Sequence, residues 1–201
     1  MHEVDDMALV REFAERGSEA AFAELVARHL NKVYSVALRH ARNPHAAEEI
    51  TQAVFIILAR KAGQLGRNVI LSGWLYQTAR LTAMTRVRGE ICRTRREHEV
   101  LMQTSSDEPG QNVWSHIAPL LDDAMAGLGE TDRQAVVLRY FDGKSLRDVG
   151  ATLGTSEDAA KMRVNRAVEK LRTFFAKHGV TTSTAGLTNM ISANSVQAAP
   201  A

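Results

Sequence analysis

Residues 145–175 constrain the fold more than any other stretch, because they combine two helical patterns with a tight turn between them. Small and apolar residues recur with the i, i+3, i+4, i+7 spacing of one buried helix face, at Leu146, Val149, Gly150 and Leu153. Gly154 follows, where a left-handed helix end favours glycine, and Ser156 can cap a second, longer helix. The pattern predicts two helices joined by a turn of about three to four residues.

The second of these helices has one apolar face and one basic face. Its apolar stripe consists of Ala160, Val164, Ala167, Val168, Leu171 and Phe175. Its basic and amide side chains are Lys161, Arg163, Asn165 and Arg166. A helix-turn-helix places such a helix in the major groove, where Arg and Lys can reach guanine and Asn can reach adenine. The alternative is an ordinary helical hairpin with solvated charges.

The composition limits the class of protein. The chain has 201 residues, enough for one or two domains, and a net charge of only +2, so a nucleic-acid site must be a local patch. The single cysteine, Cys92, supplies neither a disulfide framework nor a zinc site. The acidic start lacks a signal peptide's apolar run, and no segment has the roughly 18 apolar residues of a membrane span, so we expect a cytoplasmic protein. Strand signals are weak, and the expected fold class is all-α.

Helical patterns fill residues 1–97, which we interpret as a first domain. We expect helices over 6–16, 19–42, 45–62 and 72–99, with a glycine-rich loop over 63–73. Asn43 followed by Pro44 is a strong start signal, because proline suits the first helical position.

The last helix of this domain carries a second functional signal. It turns basic from Arg80 onward, and Trp74 and Tyr76 precede the basic run. Basic residues along one helix beside aromatic rings resemble a nucleic-acid surface with stacking platforms. The alternative is a solvated helix end, where arginine is common.

The helical pattern stops over residues 98–117, where the polar sequence TSSDEPGQN predicts a flexible linker. A second domain over 118–178 follows, in which residues 131–134 have the sequence of a capping box. No charged residue occurs after Gly179, which predicts a flexible tail over 179–201. The alternative for the tail is a short helix with an apolar strip that docks on the domains or on a membrane-proximal partner, formed by Leu187, Met190, Ile191 and Val196.

Four sequence pieces occur in order along the chain: AFAELVARH, HAAEEITQAVF, GWLYQTAR and LRYFDGKSLRDVGATLGTSEDAAKMRVNRAVEKLR. With them, the chain from about Leu9 to Lys177 resembles a bacterial RNA polymerase sigma factor of the sigma-70 family, in its extracytoplasmic-function (ECF) group. The resemblance implies two small helical domains joined by a flexible linker, the C-terminal one a helix-turn-helix. It further implies a non-enzymatic subunit that binds core RNA polymerase and directs it to specific promoters, without a cofactor, metal or small-molecule substrate.

The resemblance also implies roles by matching position. The first domain would bind the β′ clamp helices of the polymerase through Glu48, Glu49, Gln52 and Phe55. It would bind the minus 10 promoter element through Trp74, Tyr76, Arg80, Arg86 and Arg88, with a flipped base held by the loop over 63–73. The second domain would bind the β flap, and would read the minus 35 element through Lys161, Arg163, Asn165 and Arg166. Members of this group are commonly held by an anti-sigma factor, which makes such a protein a further candidate partner.

The chain departs from the family pattern at a few of these positions. Leu81 stands where the family usually has Asn, and Thr85 where an acidic residue is common, and both bear on the minus 10 sequence preference. Ala53 stands where Glu is common, which bears on affinity for the clamp.

Two other classes of protein compete with this interpretation. A stand-alone helix-turn-helix transcriptional regulator usually dimerises to reach two half-sites, and no segment here has the pattern of a dimerisation helix. An enzyme acting on DNA would need a nucleophile or a metal-binding carboxylate cluster. The seven histidines are scattered, and we interpret the acidic pairs at 5–6 and 122–123 as caps at helix starts.

Overall fold

The computed structural model describes residues 5–97 and 113–200, with side chains described over 5–87 and 114–200. The all-α class is confirmed, because every regular element in these ranges is helical. The helices are α1 (Asp6–Arg16), α2 (Glu19–Ala41), α3 (Pro44–Lys61), α4 (Leu71–Glu97), α5 (Val113–Ala126), α6 (Glu130–Val136), α7 (Leu146–Thr152), α8 (Glu157–Lys177) and α9 (Thr184–Asn194). A π-helical turn, Val137–Phe141, continues α6, and a short 3₁₀ turn, Ala62–Gln64, follows α3.

The first helical unit, α1–α4, is built around α2. Local caps fix where its helices begin: the Ser18 hydroxyl accepts a hydrogen bond from the Ala21 amide, and Asn43 accepts one from the Ala46 amide. α2 packs against α1, α3 and α4. The apolar stripes of α2, α3 and α4 meet in one core, formed by residues that include Leu25, Val33, Val36, Ile50, Val54, Leu58 and Leu75.

The loop between α3 and α4 is shorter than the sequence predicts. The 3₁₀ turn uses its first residues, and α4 begins at Leu71, so that only residues 65–70 remain outside helices. Leu71 is 2% exposed, and the Trp74 amide donates to the Ile70 carbonyl oxygen. Burial of this apolar residue in the core therefore extends the helix backward into the expected loop.

Asp6 attaches α1 to α2 by polar contacts. Its carboxylate accepts a hydrogen bond from Arg28 Nη1 at 3.1 Å and lies 2.9 Å from His29 Nε2. Burial raises the pKa of Asp6, but the hydrogen bonds and charges of His29 and Arg28 outweigh burial and lower it to about 2, from an ordinary value of 3.8.

This lowered pKa predicts a defined acid sensitivity. The folded state binds the Asp6 proton less tightly than the unfolded state, so the contribution of Asp6 to stability is complete above the unfolded pKa and is lost as the pH falls from about 4 to about 2. We expect Asp6→Asn to lower the free energy of unfolding by about 2 kcal/mol at pH 7 and by much less at pH 2.5. Urea unfolding at both pH values measures this. The neighbouring Asp5→Asn is the control, because the exposed Asp5 side chain makes no capping hydrogen bond; an equal loss in both variants would contradict the assignment.

The second helical unit, α5–α8, differs from the sequence expectation at two starts. α5 begins at Val113, so residues 113–117 are helical, whereas residues 98–112 of the expected linker lie outside the described residues. The expected capping box at 131–134 is wrong: α6 begins at Glu130 after Gly129, and no described side chain caps it. Thr131 therefore lies inside the helix and not at its start. Asp132 accepts a hydrogen bond from Lys170 Nζ of α8 at 2.7 Å.

The helix-turn-helix forms as predicted. Ser145 and Ser156 cap α7 and α8 by accepting hydrogen bonds from the Asp148 and Ala159 amides, at 3.1 and 3.2 Å. α7 lies so close to the turn that a Cβ at Gly150 would stand 2.9 Å from the Thr155 carbonyl oxygen. The glycine at this position therefore suits the close approach of the helix to the turn.

The expected flexible tail is wrong for most of its length, and the alternative of a docked helix describes the structure. Ser183 caps α9, and Leu187 and Ile191 are fully buried. α9 packs against α8 and the π-helical turn. An uncharged segment can dock in this way because its apolar strip, though short, covers apolar surface of the second unit.

Candidate nucleic-acid and protein interfaces

The N-terminal half of α8 presents a basic, solvent-exposed face. Lys161, Asn165 and Arg166 are exposed, and none of their side chains has a hydrogen bond or ion pair within the described part of the chain. Met162 lies among them and is 67% exposed. The opposite face holds the predicted apolar stripe, from Ala160 to Phe175, which is buried. The buried stripe thus holds α8 against the core, and the polar face of the helix is available to a ligand.

Arg163 does not share this exposed face. It is half-buried, and its Nη1 lies 3.5 Å from Asp132 Oδ1 of α6, whose other oxygen accepts from Lys170. The carboxylate therefore draws Arg163 toward the second unit's own surface, so its predicted contact with DNA stays a prediction. Asp132 was not among the residues predicted from the sequence, because its partners Arg163 and Lys170 lie on another helix.

The predicted polymerase-binding residues of α3 separate into two groups. Glu48 and Gln52 are exposed, and Glu49 is half-buried in an ion pair with Arg86 of α4. Phe55 is only 7% exposed and belongs to the core. A direct contact between Phe55 and a partner is therefore not available in this structure, and its predicted role stays untested.

Of the predicted minus 10 residues on α4, only some are near solvent. Trp74 is half-buried, Arg86 contacts Glu49, and the side chain of Arg88 lies outside the described residues. Tyr76 is fully buried, although the sequence suggested a stacking platform. Arg80 also points away from solvent, and its Nε donates to the Asp122 carbonyl oxygen at 3.1 Å.

Tyr76 is buried and Arg80 is largely covered because α4 packs against the second unit at Asp122 of α5. The Asp122 carboxylate accepts hydrogen bonds from Tyr76 Oη at 2.6 Å and from Arg39 Nε and Nη2 at 2.9 and 3.1 Å. Burial raises the pKa of Asp122, but the charge and hydrogen bonds of Arg39, together with the hydrogen bond from Tyr76, outweigh burial, and the net shift of the pKa is downward. Burial and the neighbouring carboxylate raise the pKa of Tyr76 well above its ordinary value. The interpretation of Asp122 as a cap is wrong, because α5 starts nine residues earlier, at Val113.

A second polar junction joins the units through Lys32 of α2. Its Nζ donates to Asp142 Oδ1 at 2.7 Å and to the Ser72 hydroxyl, which itself donates to Asp142. Burial lowers the pKa of Lys32 even though Asp142 opposes this effect. The loop over 65–70 opens beside this junction onto a cleft of about 760 Å³, which it shares with the helix-turn-helix near Leu153.

Two further properties concern the described residues alone. They contain no group of three or more His, Cys, Asp or Glu side chains that could hold a metal ion. None of their helices is both long and apolar enough to cross a bilayer.

Comparison with known proteins decides the family. Residues 25–90 match the family described as Sigma-70 region 2, and residues 124–173 match Sigma-70, region 4. The ECF RNA polymerase sigma factor SigE of Mycolicibacterium smegmatis is 33% identical over 179 residues, which cover 85% of this chain and 69% of the relative. The chain belongs to the sigma-70 family, in its ECF group.

A second relative and one solved structure also match this sigma factor. RNA polymerase sigma factor CarQ of Myxococcus xanthus is 30% identical over 160 residues, covering 78% of this chain and 90% of the relative. Among solved structures, CnrH in complex with the cytosolic domain of CnrY matches 86% of this chain and 97% of that one, with a TM-score of 0.42 and 20% identity.

The two matched regions separate the predicted sites of the sigma factor. The predicted polymerase-binding and minus 10 residues all lie in region 2, on α3 and α4. The predicted minus 35 residues all lie in region 4, on α8. Asp122 of α5 lies two residues before the matched part of region 4, and its contacts bring the two regions together.

Proposed function

We propose that this sigma factor binds core RNA polymerase through the exposed face of α3 and directs it to promoters through two DNA contacts, one in each region. The observation that carries the proposal is the α8 face, where Lys161, Asn165 and Arg166 are exposed and unpaired on a capped helix-turn-helix. Such side chains supply both phosphate and base contacts in a major groove. We place the minus 35 contact there, with Arg163 as a residue that supports the helix through Asp132.

The minus 10 contact would use α4 and the loop before it. Trp74 and Arg86 are near solvent, and residues 67–70 of the loop line a cleft large enough for a nucleotide. Tyr76 and Arg80 can contribute only after α4 separates from α5, because Asp122 holds both. We therefore propose that promoter binding uses an arrangement in which the two regions have moved apart.

For the polymerase contact we expect Glu48 and Gln52 to matter most, since both are exposed on α3. The double variant Glu48→Ala, Gln52→Ala should weaken binding to core polymerase about tenfold. The truncation removes the carboxylate and the amide, and so leaves the polymerase groups that they would contact without a partner. Gln64→Ala removes the same amide from an exposed position just beyond α3 and should bind like the parent. Anisotropy of a labelled chain titrated with cognate core polymerase gives the affinities. Equal affinities of the parent and both variants for core polymerase would contradict the proposed contact through α3.

The proposal as a whole is tested by run-off transcription with cognate core polymerase on fragmented genomic DNA, with and without the chain. New discrete start sites that share two spaced upstream elements would support a sigma factor. Specific DNA binding by the chain alone, without stimulated transcription, would favour the stand-alone regulator. We expect no catalytic activity and no cofactor requirement, and we expect the protein to act in the cytoplasm, where polymerase and chromosome lie. An anti-sigma factor remains a candidate partner.

A further inference from the structure

Residues 195–200, which follow α9, run across α2 toward α3; we call them the strap. We propose that the surface formed by α2 and α3 is a binding groove for an extended, uncharged peptide, that the strap fills this groove in cis, and that the strap competes there with core polymerase. The competition rests on the proposed function, whereas the filled groove rests on contacts within the chain.

The strap begins at a junction of both regions. Ser195 is fully buried; its hydroxyl donates to the Tyr140 carbonyl oxygen at 3.2 Å, and its own carbonyl oxygen accepts from Arg39 Nη1 at 2.8 Å. The same Arg39 holds Asp122 by its other nitrogens. The strap therefore starts where α2, α5 and the π-helical turn are already joined.

Side chains of α2 then bind the strap by its backbone. The Gln197 amide donates to the Ser35 hydroxyl at 2.6 Å, and the Gln197 carbonyl oxygen lies 3.2 Å from the same hydroxyl. One turn earlier on α2, Asn31 Oδ1 accepts from the Ala199 amide at 3.0 Å. Two side chains that pair with alternate amides of an extended segment recognise a peptide backbone, as in strand-like peptide binding.

The far end of the strap reaches the predicted polymerase site. Ala199 and Pro200 line a cavity of about 250 Å³ together with Leu30, Tyr34 and Thr51, and with Glu48 and Gln52 of α3. A protein that covers Glu48 and Gln52 must occupy the space beside Pro200. The strap carries no charged side chain, so it can lie on this half-apolar surface without burying an unpaired charge.

The strap also restrains the arrangement of the two regions. α9 is anchored on region 4 by the buried Leu187 and Ile191, and the strap is anchored on region 2 by Ser35 and Asn31. Separation of the regions and release of the strap are therefore coupled. Any ligand that binds only the open arrangement must overcome both sets of contacts.

The proposal is tested by shortening the chain to end at Asn194, which removes the strap and leaves α9 in place. We expect the affinity for cognate core polymerase to rise about tenfold, and Ser35→Ala, which removes one anchor, to raise it about threefold. Ser192→Ala makes the same chemical change at an exposed position of α9 and should leave the affinity as it is. Equal affinities for the full and shortened chains would overturn the competition.

Amide hydrogen exchange tests the filled groove without polymerase. The Gln197 and Ala199 amides should be protected in the full chain, and Ser35→Ala should accelerate exchange at Gln197 more than at residues of α9. Unprotected amides at both positions would overturn the groove. Protected amides together with no core binding by any variant would overturn the proposed function and the competition, while the strap in its groove would stand.

Discussion

Replacing Asp122 by Asn is expected to lower the free energy of unfolding by about 3–5 kcal/mol, because it removes the partner of a buried charge. The Arg39 side chain is 9% exposed, and two of its nitrogens donate to this carboxylate. An amide of the same shape retains acceptor capacity on one atom only and carries no charge. Tyr76, whose hydroxyl donates to the same carboxylate, would lose its charged acceptor as well.

The loss has an upper limit set by the interface between the regions. If the destabilisation caused by Asp122→Asn exceeds the free energy that holds the two regions together, the regions separate and the Arg39 guanidinium becomes hydrated. We therefore expect two measurements to change together: the midpoint of urea unfolding should fall, and the radius of gyration from solution X-ray scattering should rise. Asp123→Asn is the matched control, since its side chain is 60% exposed and lies 3.5 Å from Arg80, a surface pair worth about 0–1 kcal/mol. Unchanged unfolding and scattering in Asp122→Asn would refute the role of this junction.

Replacing Lys161 or Arg166 by Ala is expected to reduce discrimination at the minus 35 element by about 1–3 kcal/mol for each side chain that reads a base. Both are exposed on the free face of α8, so their truncation should leave the fold intact. A side chain that contacts only phosphate should instead weaken binding evenly over all sequences and lower the salt dependence.

The measurement is run-off transcription by the reconstituted holoenzyme on promoters that differ by one base pair in the upstream element. Lys177→Ala is the matched control, because it removes the same charge from an exposed position near the end of α8, about 16 Å along the axis from Arg166. If all variants retain the parent's preference among single-base promoter changes, α8 is not the recognition helix.

The sequence predicted most helices because their signals are local. The caps at Asn43 and Ser156 were identified from one residue type and its neighbours, and both form in the structure. The apolar stripe of α8 was likewise complete, since periodicity within one helix decides which face is buried. Such features depend mainly on interactions between residues within about four positions of one another.

Predictions from the sequence were wrong where contacts with residues of other segments decided the structure. Thr131 and Gln134 had the spacing of a capping box, but α6 already begins at Glu130, before Thr131. Asp132, which lies between them, pairs with Lys170 and Arg163 of α8. The uncharged segment after Gly179 had the composition of a flexible tail, yet Leu187 and Ile191 found apolar surface on the second unit.

The sequence by itself thus determined the helical class, the helix-turn-helix, the family and the basic face of α8, because each depends on spacing within a short segment. Only the tertiary structure decided which predicted site residues are accessible. Tyr76 was an aromatic beside a basic run in the sequence, and in the structure it lies between two regions against Asp122. The physical reason is that burial depends on what packs against a side chain, and here the partner is 46 residues away.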